Sequence, residues 1–395
     1  MDWQELGKLA RDQQDYIVSL RRYFHVHAEI SRQEVHTKEK IMEELKGMGI
    51  PCETIPHSNA LIAILKGGRP GKNKVLRADM DALPLQEDPE NLKGPKVCVS
   101  QNPGAMHACG HDAHMAMLLG AMKVLKQVQA DIPGTVYCCF EEAEETYYGW
   151  KVMLKELEKY PIDEVFALHV YFQLDAGKIN IQPGPRMAGN MRIAFTLKGR
   201  SGHGSRPDQS INPINPAIHI ISQLNSAYNN MLNVEQTETL AICQLQAGTA
   251  LNIIPDSIFV GGTSRFFSKE EREKAFPMMN RIIENTTKSF GCEVSYGDMH
   301  GQGPVPVVND PVIATKVHDT VAAMYGKEIM GDCPKWYASE GFSRYMEKYP
   351  GALGLVGIRN KEYGSGAAHH NSRFDMDEKG LYLGTAAHLA FVFGC

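Results

Sequence analysis

The sequence predicts an α/β protein in two domains: a mixed sheet flanked by helices, interrupted by an inserted ferredoxin-like βαββαβ domain. Three observations carry this prediction. The chain has 395 residues, beyond the roughly 250–300 at which a single hydrophobic core usually stops growing. Helical and strand-like patterns alternate in the N-terminal third and again toward the end, which favours a sheet covered by helices. Between these stretches the order of elements changes.

Residues from Asp15 to Gly49 carry helical periodicity, with Ile17, Leu20, Tyr23 and Phe24 in one group and Ile41, Leu45 and Met48 in another. They read as two amphipathic helices. Short apolar runs follow at Ala60–Leu65, Val75–Met80, Thr135–Phe140 and Glu164–Val170, and the last three end at or beside Asp, Glu or His. Ligands of open α/β sheets bind beyond the carboxyl ends of the strands. Asp79, Asp81, the carboxylates of residues 141–145 and His169 are therefore expected to converge on one rim. Next, Met191–Lys198 reads as a strand, Pro213–Asn229 as a helix, Glu238–Gln246 and Ser257–Arg265 as strands, Lys269–Ser289 as a helix and Glu293–Tyr296 as a strand. This order is the βαββαβ unit. Pro183, Gly184 and Pro185 before it, and the Gly and Pro cluster from Gly301 to Pro306 after it, mark it as an insertion. The expected domains are 1–185 with 299–395, and 186–298.

Composition narrows the class of function. With 43% apolar and 22% charged residues the chain is that of an ordinary globular protein. Lys plus Arg number 41 against 46 Asp plus Glu, a net charge of −5, so no general attraction to nucleic acid or anionic lipid is expected. No apolar run approaches the ~20 residues of a membrane helix, and the start lacks the cationic and apolar segments of a secretory signal. A cytoplasmic, reducing location is expected. Cys138 and Cys139 read as thiols within a strand, and without a CxxC they do not suggest a redox protein.

The chemistry concentrates in Met106–His114, MHACGHDAH, which leads into the helical run Met115–Val128. Cys109 and His111 offer a thiolate and an imidazole, ligands suited to zinc or a similar transition metal. By itself the segment reads equally well as a polar turn that caps a helix. Phe140–Glu145, FEEAEE, places four carboxylates at a strand end; a solvated acidic loop is one reading, a metal ligand plus a general base the other. His169 closes an apolar run, and His369 and His370 sit in a loop after Gly364–Gly366.

RRYFHVHAEISRQE, VLRADMDALPLQED, MHACGHDAH, AEE, ALHV, GRSGHGSRPD, LNIIPD and HHNSRFDMDE occur in the order found in the dinuclear-metal aminoacylase and hippurate-hydrolase type of amidohydrolase. The chain resembles that family over nearly its whole length. Plant auxin-conjugate hydrolases are similar, and all belong with the co-catalytic zinc aminopeptidases and carboxypeptidases. The resemblance implies a zinc-peptidase-like main domain that holds two divalent metal ions, zinc or manganese. It implies an N-acyl amino acid as substrate and a homodimer formed through the inserted lid. Cys109 resembles the ligand that bridges the metals, with His111 beside it. Glu144 resembles the general base, and Glu145, His169 and His370 resemble ligands, His369 being the neighbour with which His370 could exchange. Asp79 and Asp81 fall where ligand orientation is supported. His203 resembles the His that stabilises the developing oxyanion, in dimeric relatives often from the partner subunit. Asn252 and Arg265 match positions that contact the substrate's carboxylate or carbonyl.

The sequence also departs from the family's pattern. QPAEEGGGG appears as EEAEETYYG, so Glu141 and Glu142 replace Gln and Pro, and Thr146, Tyr147 and Tyr148 replace glycines. Tyr147 and Tyr148 are expected to reshape the acyl pocket. HPE appears as His27, Ala28 and Glu29, and SEDF as Ser339, Glu340, Gly341 and Phe342, which lacks an Asp that supports the metal site. Two rival readings follow: a dipeptidase or carboxypeptidase on the same scaffold, and a metal-binding homologue whose site has decayed.

Overall fold

A computed structural model describes residues 2–395 and divides them into two compact units. The first runs from the amino terminus through Gly184 and takes up Val308–Pro334 and Arg344–Cys395; the second comprises Pro185–Val307 and Lys335–Ser343.

The first unit is built on a seven-stranded mixed sheet in the order Cys52–Thr54, Leu61–Lys66, Thr135–Glu141, Lys74–Asp79, Glu164–Asp175, Gly351–Arg359, Ile179–Asn180. The four strands from Thr135–Glu141 to Gly351–Arg359 run parallel to one another, and the flanking pairs are antiparallel. Nearly every residue of Lys74–Asp79 and Gly351–Arg359 is buried, which explains continuous apolar runs where a half-exposed strand would alternate. Asp79 stands opposite Glu141 in the register, and His169 lies on the next strand, opposite Leu355.

Helix His111–Gln127 shows no polar stripe and is buried along almost its whole length. It packs between the sheet and the helices Gln14–Val26 and Tyr382–Gly394, so all of its faces meet protein. The helix starts from Gly110, whose φ is +92°, and a Cβ there would lie 2.3 Å from Val170 Cγ2. Backbone conformation and close approach both demand glycine between Cys109 and His111.

The second unit carries an antiparallel sheet in the order Glu238–Ala247, Ser257–Phe266, Gly189–Lys198, Glu293–Tyr296. Helices Ile214–Asn230 and Lys269–Ser289 complete the βαββαβ arrangement. Ile193, Phe195, Leu197, Ile220, Leu224 and Val260 are among its buried core. The outer strand Glu238–Ala247 is exposed over most of its length, including Leu245. Among the described residues, no helix is long and apolar enough to cross a membrane.

Candidate metal centre

The loop before helix His111–Gln127 is pinned where Leu83 and Met106 exchange backbone hydrogen bonds of 3.0 and 3.1 Å. It delivers Cys109 and His111 to the carboxyl ends of the central strands. There Cys109, His111 and His169 offer donor atoms that all lie within 4.8 Å of one another. The same holds for Cys109, Glu145 and His370, and for His111, Glu144 and Glu145. The first two of these sets share the Cys109 sulfur.

Hydrogen bonding fixes which atoms are available. His169 Nδ1 lies 2.7 Å from the Val170 carbonyl oxygen. A carbonyl only accepts, so the proton sits on Nδ1 and the Nε2 lone pair faces Cys109 Sγ at 3.5 Å. His111 Nδ1 lies 3.2 Å from Asp81 Oδ1, and its buried Nε2 makes no hydrogen bond. Glu145 Oε1, buried as well, makes none either; His370 Nε2 is 3.2 Å and His111 Nε2 3.9 Å away. A buried polar atom left unpaired costs about 1–3 kcal/mol, and unpaired lone pairs converging on one space suit a cation. The donor set, one sulfur with imidazoles and carboxylates, fits a divalent transition metal.

His114 completes a fourth group with Asp79 and His111, but both of its nitrogens are committed. Its Nε2 accepts the Val170 N–H at 2.9 Å, so Nδ1 carries the proton and donates to Asp79 Oδ1 at 2.6 Å. It braces the strand that bears His169. The sequence singled out its motif without giving it this task; its place one helical turn after His111 was the available signal. Asp81 is the hub of the neighbouring half. Its Oδ1 faces His111 and accepts the Glu144 N–H at 3.1 Å, while Oδ2 accepts the Glu145 N–H at 3.1 Å and the Ser31 hydroxyl at 2.6 Å. Burial works against charge on Asp79 and Asp81, but His111 and the neighbouring donors outweigh it and hold both carboxyls below the ordinary value. The Cys109 thiol is pushed up by burial and by Glu145, a balance that a bound cation reverses.

The acidic run is not a solvated loop. Glu141 is buried, with Oε1 accepting from Arg77 Nη2 at 2.9 Å and Oε2 from the Tyr345 hydroxyl. Arg77 also donates to Asp79 at 2.6 Å, so one guanidinium serves two rim carboxylates. Glu142 is buried too and accepts from Asn59 N–H at 2.8 Å and from the Ser58 hydroxyl. The two carboxylates that depart from the family's pattern are thus individually paired. His370 is half exposed with φ +63°. His369 is half-buried, its ring 5.2 Å from that of His169 and 5.0 Å from that of Phe374.

In the second unit, His203 and Asn252 adjoin: Ile253 pairs with His203 across a short ladder, and Gly204 N–H donates to the Asn252 carbonyl at 2.8 Å. The Ser205 N–H donates to His203 Nδ1 at 3.2 Å, which leaves the ring proton on the exposed Nε2 side. Arg265 stands near the far end of the Ser257–Phe266 strand, opposite Asn190. Its Nε donates to the Tyr337 carbonyl at 3.1 Å, and Nη1 to Thr263 Oγ1 and to the Ser264 carbonyl at 3.3 Å. Ser339–Phe342 belongs to this unit as well.

The chain is 32% identical to thermostable carboxypeptidase 1 of Saccharolobus solfataricus, over 98% of this chain and 96% of that one. It is 34% identical to an N-acyl-L-amino acid amidohydrolase of Geobacillus stearothermophilus, over 77% and 81% of the two chains. A crystal structure from Bacillus subtilis, described as a dinuclear metal binding peptidase from the M20 family, superimposes with a TM-score of 0.81 at 29% identity, covering 96% of this chain and 98% of that one. The model of peptidase family M20/M25/M40 matches residues 75–393, and the chain belongs to that family.

Proposed function

We propose that the chain hydrolyses the amide bond of N-acyl amino acids or related conjugates and releases a carboxylic acid and a free amino acid. The observation that carries this reading is the convergence of Cys109, His111, Glu145, His169 and His370 beside Glu144, with buried lone pairs on His111 and Glu145 left unpaired. Cys109, His111, Glu145, His169 and His370 would hold two divalent ions, zinc or manganese, with Cys109 common to two donor sets, and the sulfur with three imidazoles favours zinc. Such ions, when bound, lower the pKa of water and polarise a carbonyl.

The residues of the chain supply the rest. Glu144 accepts the proton of the attacking water and returns it to the nitrogen of the departing amine, which must leave protonated. Asp81 keeps that carboxylate in place through the Glu144 N–H. Charge develops on the carbonyl oxygen as the tetrahedral intermediate forms, and His203, whose Nε2 carries the proton, donates to it. Asn252 and Arg265 hold the carboxylate or carbonyl of the amino-acid part, a planar guanidinium suiting a carboxylate. The exposed outer strand Glu238–Ala247, with Leu245, Leu251 and Ile253 exposed nearby, supports a homodimer through the second unit. The thiols Cys138 and Cys139, both without a disulfide, support a cytoplasmic setting.

A panel of N-acetyl and N-aroyl amino acids, assayed by released amine with metal content measured on the same sample, tests the reading. Turnover is expected with zinc or manganese; a protein that loads metal yet hydrolyses none of the panel rules it out. The carboxypeptidase relatives favour a second reading, cleavage of peptides, which a dipeptide with a free α-amino group distinguishes. Faster turnover of the free dipeptide than of its N-acetyl form selects it.

A further inference from the structure

The turn that carries Glu144 and Glu145 is gripped by acids outside the donor set. Three successive amides each meet a carboxylate oxygen: Ala143 N–H donates to Glu34 Oε1 at 2.8 Å, and the next two donate to Asp81. Ala143 has φ +53°, a left-handed conformation disfavoured for any residue with a Cβ. Consecutive amides turned toward one side make an anion-binding nest; here the protein fills the nest with its own carboxylates.

The second oxygen of Glu34 accepts from Asn59 Nδ2 at 3.1 Å. Asn59 N–H in turn donates to Glu142 Oε2 at 2.8 Å, and the Ser58 hydroxyl to Glu142 Oε1. Since Glu142 and Ala143 are consecutive, these contacts close a ring: Glu34, Asn59, Glu142, Ala143. Both acids are buried. Five residues other than glycine have positive φ among the described residues, Arg32, His57, Ala143, Tyr147 and His370. Three of them, Arg32, His57 and Ala143, are in the ring or within two positions of a ring member, and strained backbone of this kind persists only where its surroundings over-determine it. Glu142 also stands where the family's pattern has Pro. A proline restrains its own φ; a glutamate restrains the turn by reaching across to another segment.

We propose that Glu34 and Glu142 are positioning residues which, through Asn59, lock the backbone at Ala143 and so aim Glu144 at the substrate and Glu145 at the cation. The catalytic part of this inference rests on the proposed function, and its effect on cation binding does not.

Glu34→Ala, Glu34→Gln, Asn59→Ala, Glu142→Ala and the double variant Glu34→Ala/Glu142→Ala test it in the full chain. Each is measured for kcat and KM on the best N-acyl amino acid and for Mn2+ affinity by calorimetry on metal-stripped protein. Glu34→Ala is expected to lower kcat about 30-fold or more with KM changed less than about 3-fold, and to weaken Mn2+ binding about 10-fold, the scale of losing a group that orients a ligand. Glu34→Gln should recover most of the loss, because its carbonyl oxygen still accepts from Ala143 N–H while the Asn59 amide turns over. The double variant should lose less than the product of the singles. The proposal fails if Glu34→Ala, folded by circular dichroism, keeps wild-type kcat and Mn2+ affinity. It fails equally if the effects multiply independently, or if Glu34→Gln is as poor as Glu34→Ala. Should Glu34→Ala not fold, Asn59→Ala and Glu142→Ala carry the same criteria. A wild type that binds Mn2+ but hydrolyses no acyl amino acid removes the proposed function and leaves the lock to be judged on affinity alone.

Discussion

The two ends of one strand, Lys74–Asp79, hold buried ionisable groups in opposite ways. At its start, Lys74 donates from Nζ to the carbonyls of Phe391, Val392 and Cys395 at 3.1, 2.7 and 2.8 Å. The side chain caps the last turn of helix Tyr382–Gly394, where carbonyls lack partners within the helix. At its finish, Asp79 sits beside ligand atoms that make no hydrogen bond: His111 Nε2 and Glu145 Oε1. The Lys74 ammonium gives its hydrogen bonds to three carbonyls inside the chain. The rim leaves lone pairs without a hydrogen bond, gathered where a cation could use them. Complete pairing marks architecture, and convergent incompleteness marks a site.

Four experiments press on that contrast. Removal of metal by exhaustive chelation, or His111→Ala, should reduce hydrolysis to background, with recovery on adding Zn2+ or Mn2+ only where His111 is intact; full activity after proven metal loss would dissolve the distinction between the two ends. Glu144→Gln should lower kcat by about 10²–10⁴-fold while metal content stays at the wild-type level, and a loss below tenfold would remove Glu144 as the proton carrier. Lys74→Met should do the reverse. Leaving helix carbonyls unpaired should lower the free energy of unfolding by about 2–4 kcal/mol, read from the denaturant midpoint, with kcat per folded molecule unchanged.

The smallest effect concerns another fully paired group, Glu87. It accepts from Lys96 Nζ at 2.8 Å and Ser100 N–H at 2.7 Å and faces His25 Nε2 at 2.9 Å. Burial opposes its charge, but His25, Lys96 and the Ser100 amide outweigh it and hold the carboxyl down at about 2, from an ordinary 4.5. A depressed folded pKa contributes stability above the unfolded value, lost as pH falls through the folded one. The melting temperature should therefore decline between pH 4.5 and 2, and Glu87→Gln should flatten part of that decline. An unchanged slope would show that the pairing of Glu87 contributes nothing there.

Much of this was legible in the sequence because it is written locally. Apolar runs ending in Asp79, Glu141 and His169 announce strands whose ends share a rim, and MHACGHDAH announces a donor pair at the start of a helix. What the sequence hides is which groups satisfy one another across long separations. FEEAEE leaves a solvated loop and a turn bearing a ligand and a base both open until Arg77 and Tyr345 are seen on Glu141, and nothing near Ala143 in the chain points to Glu34. The insertion of Thr135–Glu141 between Leu61–Lys66 and Lys74–Asp79 is likewise a matter of tertiary pairing, which local patterns do not encode. The Trp3–Arg11 helix escaped the periodicity reading altogether, since Leu6, Gly7 and Ala10 give a buried face too sparse in large apolar residues to stand out.

Strand Gly351–Arg359 lies between Glu164–Asp175 on one side and Ile179–Asn180 on the other. A segment made late in synthesis therefore occupies an inner position of the sheet, and contacts of such long sequence separation form slowly. A nascent chain that has not yet passed residue 351 has the five strands from Cys52–Thr54 to Glu164–Asp175 without their neighbour, and it lacks His370. In order of synthesis, the donor set of Cys109, His111 and His169 is therefore complete before that of Cys109, Glu145 and His370.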